Sequence, residues 1–371
     1  MIKRRDTADM TDEIKNKIFG FSVYNQYIRR DLIEQIARGL CETYGWSAEE
    51  IALTEGEDIT KCKAWEYTVR AAIKKHDIYA IATLLFYKYY SPVIEETEYH
   101  TNNESLLCDL VEILEGAAEK DAFTYFLIGR ANFAGRGAEL DYEKAYDCFC
   151  KAADGGIEIA RLFALEISES YDAVFPVAKA LIKKYPDSHI VRYYLGYCYF
   201  RGYGTAVDHA KVTELFGYEG AEEYGEAPID YYFLASRYLL GVCYFRGEGV
   251  EKDLRKAEKL FRASGAEYNP EAWYAEAITL LLSDKSKDPE YIWSLLKNSA
   301  LRGCLPAARK VMLCLRTGYG TEPDKELYTA YADYYDYEKE NGKTVSDLGY
   351  DADHCDLTDE NNKVIKDDEL D

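Results

Sequence analysis

The chain holds no apolar run of membrane-spanning length; its long candidate, Tyr231 to Phe245, is broken by Arg237. No apolar leader is visible either. Met1-Ile2-Lys3-Arg4-Arg5 runs directly into Asp6, Thr7 and Asp9, so a cytoplasmic setting with reduced thiols is expected. Positive charge is scarce: 45 Lys and Arg stand against 67 Asp and Glu, a net −22 over 371 residues. That balance argues against non-specific nucleic-acid binding and against anionic membranes, because both would be repelled. Histidine is sparse. His76, His100, His189, His209 and His354 are scattered without helical metal spacing, and no Cys-x-x-Cys occurs. No Gly-Lys-Ser/Thr phosphate loop is present, and no nucleophile–base pair stands out. Asp351, Asp353, Asp356, Asp359 and Glu360 only partly resemble a calcium loop, since Cys355 stands at position five and the Gly and final Glu are missing. No catalytic residue, metal or cofactor is therefore expected.

Tyrosine is abundant instead, with 35 against 14 Phe and 4 Trp. A tyrosine ring packs at helix seams while its hydroxyl stays wet. The same residues can line a recognition groove. The ten cysteines read as small buried hydrophobes.

One pattern recurs. Leu240-Gly241-x-x-Tyr244-x-x-Gly247-x-Gly249-Val250 is nearly matched by Leu195-Gly196-x-x-Tyr199-x-x-Gly202-x-Gly204. Weaker copies begin at Ile128-Gly129 and near Val311. Each is followed by an aspartate (Asp141, Asp208, Asp253 and Asp324) and then by Lys-Ala or its relic. The glycines supply positive-φ positions that end a first helix, and the aspartate caps a second. Glycine inside the first helix costs about 0.8–1.0 kcal/mol against alanine, so its repetition implies close helix–helix approach. From Asp208 to Asp253 is 45 positions, with a loop insertion at 222–228, while the flanking gaps are 67 and 71. Each long gap predicts a hidden helix pair without glycines, at 157–169 with 171–184 and at 271–282 with 288–302. Further helices are expected at 63–74, 77–90 and 103–118, and Ser47-Ala48-Glu49-Glu50 reads as a capping box.

These residues resemble the Sel1-like repeat, a relative of the tetratricopeptide repeat. The resemblance implies an all-α, right-handed α-α superhelical solenoid of helix pairs whose concave face binds protein or peptide. The expected organisation is a divergent helical cap over 1–62, a repeat array over 63–340 (clearest at 122–340) and an acidic, mobile tail over 341–371. Tyr194, Tyr197 and Arg201 share one helical face by spacing. With Arg246, Arg130 and Arg316 they form the candidate concave groove, which would grip an acidic segment through bidentate arginines. The competing reading pairs these arginines with the chain's own acidic side chains. A non-enzymatic intracellular scaffold is the expected function, with no nucleic-acid or membrane partner. An enzyme-associated module or cryptic hydrolase, and a secreted host-directed effector, are the alternatives.

Overall fold

The computed structural model describes residues 30–47, 63–89, 100–135, 137–217, 231–265, 269–283, 288–339, 346–353, 357–358 and 364–365. The expected capping box at 47–50 and the loop insertion at 222–228 lie largely or wholly outside these residues. Helices dominate. They are α1 Arg30–Tyr44, α2 Lys63–Lys75, α3 Ile78–Tyr89, α4 His100–Glu115, α5 Ala122–Ala134, α6 Tyr142–Asp154, α7 Ala160–Ile167, α8 Tyr171–Lys184 and α9 His189–Arg201. They continue as α10 His209–Phe216, α11 Tyr231–Arg246, α12 Leu254–Gly265, α13 Pro270–Leu282, α14 Pro289–Leu301, α15 Leu305–Thr317, α16 Lys325–Lys339 and α17 Tyr350–Asp353. A short antiparallel bridge joins β1 Leu357–Thr358 to β2 Val364–Ile365. The chain is an all-α solenoid-type array, and within its compact units most of the described helices pack on sequence neighbours. It divides into two compact units, residues 1–207 with 228–232, and residues 208–227 with 233–371.

Local chemistry accounts for the helix ends. All four repeat aspartates cap the helix that follows: Asp141 accepts from Lys144 N at 2.9 Å, Asp208 from Lys211 N at 3.0 Å, Asp253 from Lys256 N at 3.1 Å and Asp324 from Leu327 N at 2.9 Å. Asn269 and Asp288 cap the glycine-free helices α13 and α14, each with proline in the first turn. Both hidden helix pairs are present, as α7 with α8 and as α13 with α14.

The paired glycines have separate tasks. Gly202 adopts φ +78° and its N–H closes α9 on the carbonyl of Cys198. Gly204, at φ +63°, lies so close to the Asp172 carbonyl at the start of α8 that a Cβ would collide with it. The second glycine thus lets one repeat's turn rest on the preceding helix pair. Gly249 does the same over His209, and Gly320 over Pro289.

The mid-helix glycines answer to phenylalanine. A Cβ on Gly129 would meet the Phe149 ring at 3.0 Å, and one on Gly241 would meet Phe261 at 2.6 Å. In both repeats the ring stands 20 positions after the glycine, and Phe216 stands 20 after Gly196. Phe149, Phe216 and Phe261 are fully enclosed, each burial contributing about 1.5–3 kcal/mol. Around Phe149, Phe163 stacks at 5.0 Å and Phe126 closes in at 6.0 Å to form an aromatic cluster in the first unit. In the second unit Phe261 meets Tyr238 at 5.9 Å and Phe245 at 6.4 Å.

Within the acidic C-terminal segment, residues 346–353 are anchored. Asp353, 1% exposed, accepts from Tyr274 Oη at 2.8 Å, Ser346 N at 2.6 Å and Ser346 Oγ at 2.5 Å. Composition suggested solvation here, but a single buried carboxylate with these donors ties the stretch to α13.

Candidate protein-interaction surface

The site is built on α9, which Ser188 opens by accepting from Val191 N at 3.3 Å. Its inner face buries Ile190, Val191, Tyr194, Leu195 and Cys198. Its other face carries Tyr193, Tyr197 and Arg201, all half-buried. Tyr193 stacks on Tyr197 at 5.7 Å and 11°. Tyr197 meets Tyr203 edge-on at 5.7 Å and 62°. Tyr203 stacks in turn on Tyr171, the first residue of α8, at 5.0 Å and 19°. Four half-exposed rings therefore form a continuous tyrosine ladder. Its outer end is fixed by the glycine turn, because Gly204 N donates to the Asp172 carboxylate at 2.8 Å.

Acid chemistry surrounds the ladder. Burial pushes the Tyr171 phenol up, and the nearby carboxylates of Glu166 and Glu169 add to it. Tyr203 is also raised, by burial and then by Tyr197, while Arg201 pulls it down and Asp172 pushes it up. Beneath lies Glu166, which accepts a hydrogen bond from Tyr194 Oη. Burial raises the Glu166 carboxyl above its ordinary range; the Tyr194 hydrogen bond and the Arg130 charge act against that rise.

The six residues expected to line a groove have different environments. Tyr197 and Arg201 lie on the ladder, with the Arg201 guanidinium 5.6 Å above the Tyr197 ring and 5.2 Å from that of Phe200. Tyr194 faces the interior, where it touches Phe163 and Tyr232. Arg130 is 4% exposed and lies 5.3 Å over the Phe163 ring. Arg246 pairs with Glu248 at 2.7 Å, and Glu248 also meets His209 at 3.1 Å. Arg316 is exposed in the last turn of α15. Tyr193, Tyr203 and Tyr171 escaped the sequence reading. Tyr193 sits four residues before Tyr197, as helical as the three-residue spacing that favoured Tyr194, and Tyr203 fills the variable position between the paired glycines.

Three cysteines hold a repeated place in the helix pairs. Cys198, Cys243 and Cys314 recur four residues before the first turn glycine. They are buried with free thiols, and desolvation pushes each up to about 12. Thiolates are the reactive form, so these side chains act as packing groups. No group of His, Cys, Asp and Glu among the described residues has the arrangement of a metal site. No described helix is long and apolar enough to cross a membrane.

The Sel1 repeat family model matches residues 122–157, 191–211 and 234–267. The chain carries Sel1 repeats at these three segments, and the fold is one that generally serves protein–protein interaction. Among solved structures, a Sel1 repeat protein from Oxalobacter formigenes is similar at 19% identity, covering 64% of this chain and 97% of that one, with a TM-score of 0.47. The protective antigen c5321, present in uropathogenic Escherichia coli strains and displaying an SLR fold, is similar at 15% identity, covering 87% and 78%, with a TM-score of 0.31. None of the curated proteins matches the chain.

Proposed function

We propose that the repeat array over 63–340 is a non-catalytic scaffold that holds a protein or peptide partner against the tyrosine ladder of α8 and α9. The observation that carries this reading is the run of half-exposed rings from Tyr193 through Tyr197 and Tyr203 to Tyr171. Tyrosine supplies broad contact area at low cost in side-chain entropy and keeps a hydroxyl for hydrogen bonding. Such residues dominate binding energy when they are held rigid beforehand. Here stacking and the Gly204–Asp172 seam provide the rigidity.

The test is affinity capture with the full chain as bait. A Tyr193→Ala/Tyr197→Ala variant is compared with wild type and with Tyr337→Ala, which alters a ring 72% exposed on α16. Quantitative mass spectrometry should show specific partners lost at least tenfold from the double variant, a loss of about 1.4 kcal/mol or more, and kept by Tyr337→Ala. Circular dichroism checks that both variants stay helical. An unchanged partner set on a folded double variant would sink the ladder as the binding surface.

A further inference from the structure

The ladder has a polarity along its length. Its middle already has a cation: Arg201 lies 5.6 Å over Tyr197 and is near enough to Tyr203 to act on its phenol. Its far end, at Tyr171, is different. Two carboxylates, Glu166 and Glu169, act on Tyr171. Asp172, the next residue, is exposed and also acts on Tyr203. A tyrosine face is electron-rich and attracts cations, most strongly where carboxylates add to the field.

We propose that the Tyr171 end of the ladder receives a positively charged side chain, arginine or lysine, from the partner peptide. The stacked Tyr171–Tyr203 pair provides the flat aromatic wall, Tyr197 stands edge-on beside it, and Glu169 and Asp172 provide the countercharge. Arg201 over Tyr197 shows that faces of this ladder accept a guanidinium. This assignment rests on the ladder being the binding surface, and it reverses the charge expected from the arginines. Arg246 is engaged by Glu248 and Arg130 is enclosed over Phe163, so neither presents its charge to a carboxylate-bearing partner.

Two capped peptides test it, one alternating alanine with arginine and the other alanine with glutamate. Each is titrated into full-length protein carrying 13C-labelled tyrosine rings, with ladder signals identified by their disappearance in single Tyr→Phe variants. The arginine peptide should move the Tyr171 and Tyr203 signals, and the glutamate peptide should leave them in place. Glu169→Gln and Tyr171→Ala should each weaken the arginine peptide about two- to fivefold, the range expected of an exposed cation–aromatic contact. Tyr171→Phe keeps the ring face and should bind within about twofold of wild type. Added salt should weaken binding. Movement with the glutamate peptide alone overturns the charge assignment and leaves the ladder as a binding surface. Movement with neither peptide, alongside partners lost from the Tyr193→Ala/Tyr197→Ala bait, overturns only the cationic assignment. If that bait also keeps its partners, both readings fall.

Discussion

Glu166 carries a perturbed carboxyl in the first unit, bonded to the Tyr194 hydroxyl. Burial lifts its carboxyl, while Tyr194 and Arg130 restrain the rise. An unfolded glutamate titrates at about 4.3, so between that value and the higher folded value the native state holds more protons than the unfolded chain. The contribution of Glu166 to stability therefore falls as pH rises through this window and is level above it. Glu166→Gln keeps an acceptor for the Tyr194 hydroxyl and has no proton to lose. Its stability relative to wild type should rise from pH 4 to pH 7 in urea titrations at fixed ionic strength. A gap constant across that range would show that Glu166 does not titrate abnormally. The sequence did not disclose this role. Tyr194 and Tyr193 are neighbours on α9 and Tyr232 meets both rings, so which one stays open depends on the Phe163 ring that covers Tyr194. Helical spacing narrows a face to a few residues, whereas the covering helix chooses among them.

At the element scale, the glycine-to-phenylalanine spacing makes the helix pair a fitted unit. Gly241→Ala places a methyl against the Phe261 ring, and overpacking of this kind costs about 1–3 kcal/mol, set against about 0.8–1.0 kcal/mol gained from helix propensity. Net destabilisation is expected. With Phe261→Ala already in place the clash is gone, so Gly241→Ala should stabilise by roughly 1 kcal/mol. A double-mutant cycle by urea denaturation measures this coupling; equal effects in the two backgrounds would refute the fit. The fourth repeat makes the reciprocal change by itself, with Met312 at the glycine position and Ala332 at the phenylalanine position. Much of this level was legible from the chain. The caps at Asp141, Asp208, Asp253 and Asp324, the turn glycines and the hidden pairs at α7–α8 and α13–α14 each have a local signal. The anchored stretch at 346–353 has none, because Asp353 reads as one more acid until Tyr274, 79 positions earlier in sequence, is seen to donate to it.

Across the whole molecule the net charge of −22 acts as self-repulsion. The pairs Lys144–Glu115, Lys184–Glu158 and Arg161–Asp154 are exposed and offset little of it. Sodium chloride shortens the Debye length from about 30 Å at 0.01 M to about 8 Å at 0.15 M, which weakens like-charge repulsion over the full array. The thermal midpoint should therefore climb by a few degrees across that range, and a midpoint that falls would mean that favourable pairs outweigh the excess charge. The seams at Gly204, Gly249 and Gly320 bear on how such a chain can change over generations. At each one a turn rests on main-chain atoms of the pair before it, and at Gly204 the Asp172 carboxylate adds a side-chain bond. Segments bounded by these joints behave as interchangeable parts: a duplicated or transplanted copy brings its own fitting. The glycine-free pairs α7–α8 and α13–α14 receive two of these joints, at Asp172 and Pro289, but carry no glycine turn of their own. A duplicated copy of either pair would offer a seat for the turn that follows it but bring no fitting of its own to the pair before it.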